Sequence, residues 1–324
     1  VLHVLLVTFP FFALVLAGYV AARRGMLALE AIPGLNGFVL FFALPCMLFR
    51  FGAGTPVAQL LDAAAFFTYL LCALIMVGFV VAVSLNRRVG WNDAAFGALV
   101  AAFPNTGFMG VPLLVALLGP AAAGPAIVTI MIDMVLTTSL CIALSRLDGA
   151  DQHGVAQAAR NALRGVLVNP LPWAILLGAL VSALELQLPG PALQTLGLLA
   201  DAASPVALFT IGAVLARSQM RVASDGAPEL PLRDYVPVAF IKLLLHPVLV
   251  LLVGGAAIQL GVPLDRFALT VMVLVAALPS ASNVSLLAEK FGADSGRIAR
   301  IILVSTAVSF LSFSAAVSML TGNP

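Results

Sequence analysis

The 324-residue chain is 62% hydrophobic and 9% charged, against about 25% charged residues in ordinary soluble domains. Together with a mean hydropathy of +1.13, this excludes a soluble globular fold and identifies an integral membrane protein. A formal net charge of +2 points to no nucleic-acid partner, and where the charges fall says more than their sum.

In chain order, ten apolar windows are long enough to cross about 30 Å of hydrocarbon. They lie near 2–22, 35–51, 62–85, 92–118, 125–147, 166–184, 193–216, 235–259, 267–291 and 297–320. Span one runs to Tyr19 and the Arg23-Arg24 pair, an aromatic and basic anchor at a membrane boundary. It is long for a signal-peptide core and has no basic flank before it, so a retained helix is expected. Trp91 and Tyr235 mark the headgroup level ahead of spans four and eight. The stretch 217–234, with Pro228 and Pro231, is expected to be a loop.

The basic residues are one-sided. Thirteen of sixteen (Arg23, Arg24, Arg87, Arg88, Arg146, Arg160, Arg164, Arg217, Arg221, Arg233, Lys290, Arg297 and Arg300) follow odd-numbered spans, Arg50 and Arg266 fall opposite, and Lys242 lies within a span. By the positive-inside rule the thirteen-residue face is cytoplasmic and both termini are outside. Cys46, Cys72 and Cys141 lie inside apolar spans without paired spacing, which supports neither a disulfide framework nor a zinc site.

Two internal matches organise the chain. Span two contains Ala43-Leu-Pro45-Cys-Met-Leu48-Phe49, and span seven contains Ala203-Ser-Pro205-Val-Ala-Leu208-Phe209, 160 positions later. Span four contains Val100-Ala-Ala-Phe-Pro104-Asn105-Thr106-Gly107, and span nine contains Val275-Ala-Ala-Leu-Pro279-Ser280-Ala-Ser282-Asn283, 175 positions later. The expected fold is therefore all-α, with ten transmembrane helices in two five-helix repeats, residues 1–147 and 166–324, joined by a cytoplasmic linker at 148–165. An odd number of spans inverts the second copy.

Pro104 and Pro279 each remove a helical hydrogen bond, and Gly107 and Gly110 weaken the helix further. Residues 92–103 form a half-helix about 18 Å long, close to the bilayer half-thickness of about 15 Å. The breaks thus fall near mid-membrane, where irregular backbone is tolerated only beside protein or a water-filled cavity. Each second half-helix presents unpaired N–H groups and about half a positive charge. Asn105, Thr106, Gly107, Ser280, Ser282 and Asn283 are the candidate anion-binding residues. The plain alternative is that Pro and Gly only kink packed helices; the recurrence of the break at matching positions favours the functional reading.

Asp133 lies about 12 Å into span five, where a charge costs about 3 kcal/mol or more. It needs a partner or a proton, and it is a candidate for proton or cation coupling or for a structural bond to the span-four break. Lys242 and His246 share a face of span eight and are further coupling candidates; Lys242 is expected to snorkel to the membrane edge in preference to contacting substrate, and His246 is expected to be a neutral, hydrogen-bonded ring, with proton carriage the alternative. Ser305, Thr306 and Ser309 are placed to bond the span-nine break. Asp201 is a weaker candidate.

Phe103-Pro-Asn-Thr-Gly-Phe-Met-Gly110-Val-Pro112, Leu278-Pro-Ser-Ala-Ser-Asn283-Val-Ser-Leu-Leu-Ala288 and Pro205-Val-Ala-Leu-Phe-Thr-Ile-Gly212 resemble the auxin efflux carrier family. The likeness is to its bacterial organic-acid carriers in particular, and it covers essentially the whole chain. It implies a fold similar to bile-acid symporters and sodium/proton antiporters. Helices 1, 2, 6 and 7 would be a scaffold that mediates a homodimer, and helices 3–5 and 8–10 a moving transport domain. Asn105 and Asn283 would hold the substrate carboxylate. Short cytoplasmic loops distinguish the chain from the plant hormone carriers and speak against auxin itself.

The expected protein is an alternating-access carrier in the bacterial inner membrane, not an enzyme, with no cofactor beyond a coupling proton or sodium ion. Its expected substrate is a small mono- or dicarboxylate such as malonate or malate, or an auxin-like acid. Competing readings are a cation/proton exchanger using Asp133, an intramembrane protease using Asp133 and Asp201, and a non-transporting sensor.

Overall fold

The computed structural model describes residues 2–55, 62–147, 170–224 and 231–322. The expected linker at 148–165 and part of the 217–234 stretch lie outside these described residues. The helices are α1 (Leu2–Arg23), α2 (Leu29–Gly54), α3 (Ala63–Ser84), α4 (Trp91–Ala102), α5 (Thr106–Leu118) and α6 (Pro120–Leu144), then α7 (Pro170–Ala183), α8 (Gly190–Ser224), α9 (Val236–Gln259), α10 (Arg266–Ala277), α11 (Asn283–Lys290) and α12 (Ser295–Thr321). Among the described residues, α1, α2, α3, α6, α8, α9 and α12 are each long and apolar enough to cross a membrane, and α5, α7 and α10 are shorter apolar helices. The protein is thus a multi-pass membrane protein.

Sequence chemistry accounts for where helices start, bend and stop. Asp62, Asp265 and Asp294 cap α3, α10 and α12, accepting from Ala65, Ala268 and Arg297 N–H at 3.0, 3.0 and 2.8 Å, which satisfies amides that a helix start leaves unpaired. Three π-helical turns, Val39–Ala43, Thr106–Gly110 and Ile241–Leu245, end two residues before Pro45, Pro112 and Pro247. A proline removes one N–H from the ladder, and widening the preceding turn is one way to re-pair its neighbours. A fourth, Ile132–Thr137, carries Asp133. Gly119 and Gly292, at φ 86° and 72°, follow α5 and α11, where a Cβ would be strained.

One expectation is corrected here. The helix α8 continues through Ser224, beyond the predicted loop start at 217, because Arg217 to Ser224 holds neither Gly nor Pro and nothing breaks the helix before Gly226. Gln219 near this end accepts a hydrogen bond from Tyr19 Oη of α1.

Close packing follows small residues. An alanine Cβ at Gly18 would overlap the Phe209 carbonyl of α8, and one at Gly212 the Val15 carbonyl of α1. The α2–α7 contact repeats the device, with Gly52 against Ile175 and Gly178 against Phe49. In hydrocarbon, where burial of apolar surface adds little, such backbone approach is a principal source of helix association. Meanwhile α4 and α10 are apolar and buried almost all round, which places both at the centre of the molecule. Arg297 clamps the adjacent end: its Nε donates to Asp234 O at 2.8 Å and its Nη1 to Asp93 O at 2.9 Å, tying α12 to the starts of α4 and α9.

Candidate functional site

The chain leaves α4 at Ala102 and re-enters helix at Thr106, and it leaves α10 at Ala277 and re-enters at Asn283. The two interruptions meet. Asn105 N–H donates to Pro279 O at 2.8 Å, and Ala281 N–H donates to Phe103 O at 2.9 Å, so Pro104 and Ser280 form an antiparallel bridge. Two extended segments that would each be intolerable alone in hydrocarbon satisfy one another. Gly110 lets them close: a Cβ there would lie 2.5 Å from Leu278 Cδ1.

The pairing leaves a set of polar groups without partners. Among the described residues, the backbone amides of Gly107 and Phe108 at the first tip, and of Ser282 and Asn283 at the second, have no acceptor. Ser280 is 1% exposed and its hydroxyl oxygen is unpartnered, as is Asn283 Oδ1. Asn105 and Thr106 are buried beside them. Buried polar groups are nearly always bonded, so the unpartnered groups gathered here make the joined breaks the candidate site. Six of the residues expected from sequence (Asn105, Thr106, Gly107, Ser280, Ser282 and Asn283) lie in these two joined segments. The Phe108 amide was not foreseen, because a main-chain donor has no signature in side-chain identity.

Supporting bonds come from behind the site. Ser305 Oγ of α12 accepts from Ser280 N–H at 3.2 Å, as the sequence predicts for span ten. Thr306 and Ser309 bond carbonyls of their own helix instead, at Ile302 and Thr306.

The ionisable residues depart from expectation. Asp133 is fully buried but does not reach the span-four break; its carboxylate accepts from Tyr69 Oη at 3.0 Å and Thr137 Oγ1 at 3.1 Å. Lys242 does not snorkel. It is 0% exposed, donating to Ala276 O at 2.7 Å and lying 3.0 Å from His246 Nδ1. Its helix face points inward to α10, where unpaired carbonyls at the break offer a nearer acceptor than the membrane edge. Asp201 is exposed and paired to Arg50 at 2.6 Å, while Asp133 bonds Tyr69 and Thr137, so no aspartyl dyad is assembled.

A family described as membrane transport protein matches residues 3–317. The chain belongs to this family, the auxin efflux carriers. A relative from Rhizobium meliloti (strain 1021) named "Putative malonate transporter" is 30% identical over 302 residues, covering 93% of this chain and 90% of its own length. The "Uncharacterized transporter YfdV" of Escherichia coli (strain K12) is 28% identical over 94% of this chain and 92% of its own. An "Uncharacterized transporter" from Methanothermobacter thermautotrophicus is 27% identical over 92% of each chain. Family and relatives are transporters, so this carrier-family protein is read as a transporter and not as an enzyme.

Proposed function

We propose that the protein is a secondary-active, alternating-access carrier of a small organic anion, a mono- or dicarboxylate of the malonate or malate kind. The observation that carries this reading is the cluster of unpartnered groups at the joined breaks: four backbone N–H donors, with the Ser280 hydroxyl and the Asn283 amide oxygen beside them. Two half-helix N-termini contribute positive potential at the same place. A carboxylate accepts several N–H bonds at once, and a three-carbon dicarboxylate can present one carboxylate to each tip. The name of the Rhizobium relative supports the same class.

On this reading α4–α5 and α10–α11 are each one broken crossing, giving ten spans in two inverted repeats. The glycine contacts support it. Under the repeat, span one corresponds to span six (α7) and span two to span seven (α8), so the α1–α8 contact maps onto the α7–α2 contact, and both use paired glycines. The scaffold would be α1, α2, α7 and α8, self-associating as a homodimer, while the helices around the breaks move. The one-sided basic residues orient both termini outside a bacterial plasma membrane.

The test is radiolabelled malonate uptake into proteoliposomes, with thermal unfolding of the purified protein on adding malonate. Asn105→Ala and Asn283→Ala are expected to abolish uptake and the malonate-induced stabilisation while leaving ligand-free unfolding near wild type. Undiminished uptake in both variants sinks the site.

A further inference from the structure

Beside the crossover, on the carbonyl side of the second break, lies a cluster that the anion site does not use. Tyr69 from α3, Asp133 and Thr137 from α6, and Lys242 and His246 from α9 are each buried. A helix that stops in mid-membrane strands its last carbonyls and carries partial negative charge there. At the end of α10 the Val275 carbonyl is taken by Leu278 N–H at 3.1 Å, and the Ala276 carbonyl by Lys242 Nζ at 2.7 Å. The ammonium therefore replaces the missing turn of helix.

Hydrogen-bond direction then constrains the protons. An ammonium only donates, so with Lys242 charged the Nδ1 of His246, 3.0 Å away, accepts, and the ring proton sits on Nε2. That nitrogen is buried without a partner. Across the cluster, Asp133 is held only by the neutral Tyr69 and Thr137 hydroxyls. Lys242 lies within its electrostatic reach, yet no ion pair within 4.0 Å joins them among the described residues. Tyr69 and His246 rings, 6.1 Å between centroids, connect the two sides. The other ionisable groups facing Asp133 and Tyr69 are the Cys141 thiol of α6 and the Cys72 thiol of α3. From α10 the group that meets the cluster is the Ala276 carbonyl, bonded by Lys242. A buried carboxylate without a direct counter-charge, next to a buried amine that holds the end of the moving break, is poised to gain and lose a proton.

We propose that this cluster makes the carrier a proton cotransporter: Asp133 takes one proton from solution, and Lys242 passes the change in charge to the Ala276 carbonyl and so to the Pro279–Ser280 segment that holds the substrate. The carboxylate becomes a carboxylic acid on one side of the membrane and releases the same proton on the other, so charge and atoms balance with the proton as sole co-reactant. Lys242 acts as a positioning residue. The proposal rests on the carrier reading for its substrate but not for its proton site.

The experiment is malonate uptake into proteoliposomes under an imposed pH gradient, with a lumenal pH dye. One pH unit supports about tenfold accumulation for one proton per substrate. Wild type is expected to approach that figure, to acidify the lumen with uptake, and to lose the response with a protonophore; alkalinisation would mean exchange and overturn cotransport. Asp133→Asn is expected to bind malonate, by thermal shift, with uptake indifferent to the gradient; Asp133→Glu restores part of the response. Lys242→Met is expected to shift the pH profile. A wild type insensitive to the gradient, or Asp133→Asn with a full response, overturns the proposal. If no carboxylate is moved at all, the carrier reading fails separately. The proton site is then judged by thermal unfolding across about pH 5 to 9, where identical profiles for wild type, Asp133→Asn and Asp133→Glu overturn it and a profile lost in Asn and regained in Glu upholds it.

Discussion

At the first break three residues, Phe103 to Asn105, separate the two helices, and at the second five do, Leu278 to Ser282. The first is held from within: the Asn105 carbonyl accepts from both Met109 and Gly110 N–H, at 3.1 and 3.0 Å, which is what the π turn Thr106–Gly110 accomplishes. The second is held from outside, by Ser305 of α12 on its amide side and Lys242 of α9 on its carbonyl side. The helix α3, the counterpart of α9 under the proposed repeat, has no charged residue between Ala63 and Ser84, so nothing like Lys242 reaches the first break from it. The difference teaches that the second break is the one wired to its surroundings. A change in charge or packing on α9 or α12 is transmitted there first, while the first break keeps its own shape.

The largest effects separate the two tips by ligand. A hydrogen bond to a charged group is worth about 1.5–3 kcal/mol; on the proposed carrier reading, losing one is expected to weaken malonate binding by roughly 10- to 150-fold. Asn105→Ala and Asn283→Ala are expected to cost about the same for a dicarboxylate that spans both tips, and very unequal amounts for acetate, which fills only one. Isothermal titration of both variants with both acids measures this, and equal losses for acetate would refute the division of labour between tips.

Next is the seam itself. Gly110→Ala drives a methyl group into Leu278, and overpacking of this kind costs about 1–3 kcal/mol. Thermal unfolding in detergent is expected to fall, with partial rescue in Gly110→Ala/Leu278→Val, which returns the space. A variant as stable as wild type would mean that the breaks are not tightly registered. Then comes the external support. Ser305→Ala leaves the Ser280 amide buried without an acceptor, at about 1–2 kcal/mol, and because that amide belongs to the segment proposed to bind substrate, malonate binding is expected to weaken along with stability.

Much of this comparison was legible beforehand. Pro104, Gly107 and Pro279 announce the breaks, because a missing N–H acts locally and needs no tertiary context; predicted half-helices of 92–103 and 267–278 stand against Trp91–Ala102 and Arg266–Ala277. The Ser305 support followed from matching the repeats. The aim of long side chains is not legible in residue order. The four-carbon stem of Lys242 reaches either way, and it turns inward because its acceptor is a carbonyl 34 residues on. Arg297, counted among the surface basic residues, is 4% exposed, since its acceptors belong to α4 and the start of α9. Asp133 found Tyr69, 64 positions earlier, which no spacing rule connects.

The smallest effect tests whether the second break needs help inside its own helix. Ser285 Oγ donates to the Ser282 carbonyl at 2.8 Å, while the backbone bonds closing that first turn of α11 are long, 3.4 Å from Val284 and 3.3 Å from Ser285. The hydroxyl thus compensates for a loose turn that at the first break the π geometry closes with two main-chain bonds to the Asn105 carbonyl, at 3.1 and 3.0 Å. Ser285→Ala is expected to cost about 0.5–1 kcal/mol, the ordinary net worth of a partly buried hydrogen bond. Amide hydrogen exchange should quicken in α11 and stay unchanged in α5. If α5 quickened equally, the two turns would be one cooperative unit, and the contrast between a self-held break and a wired one would fail.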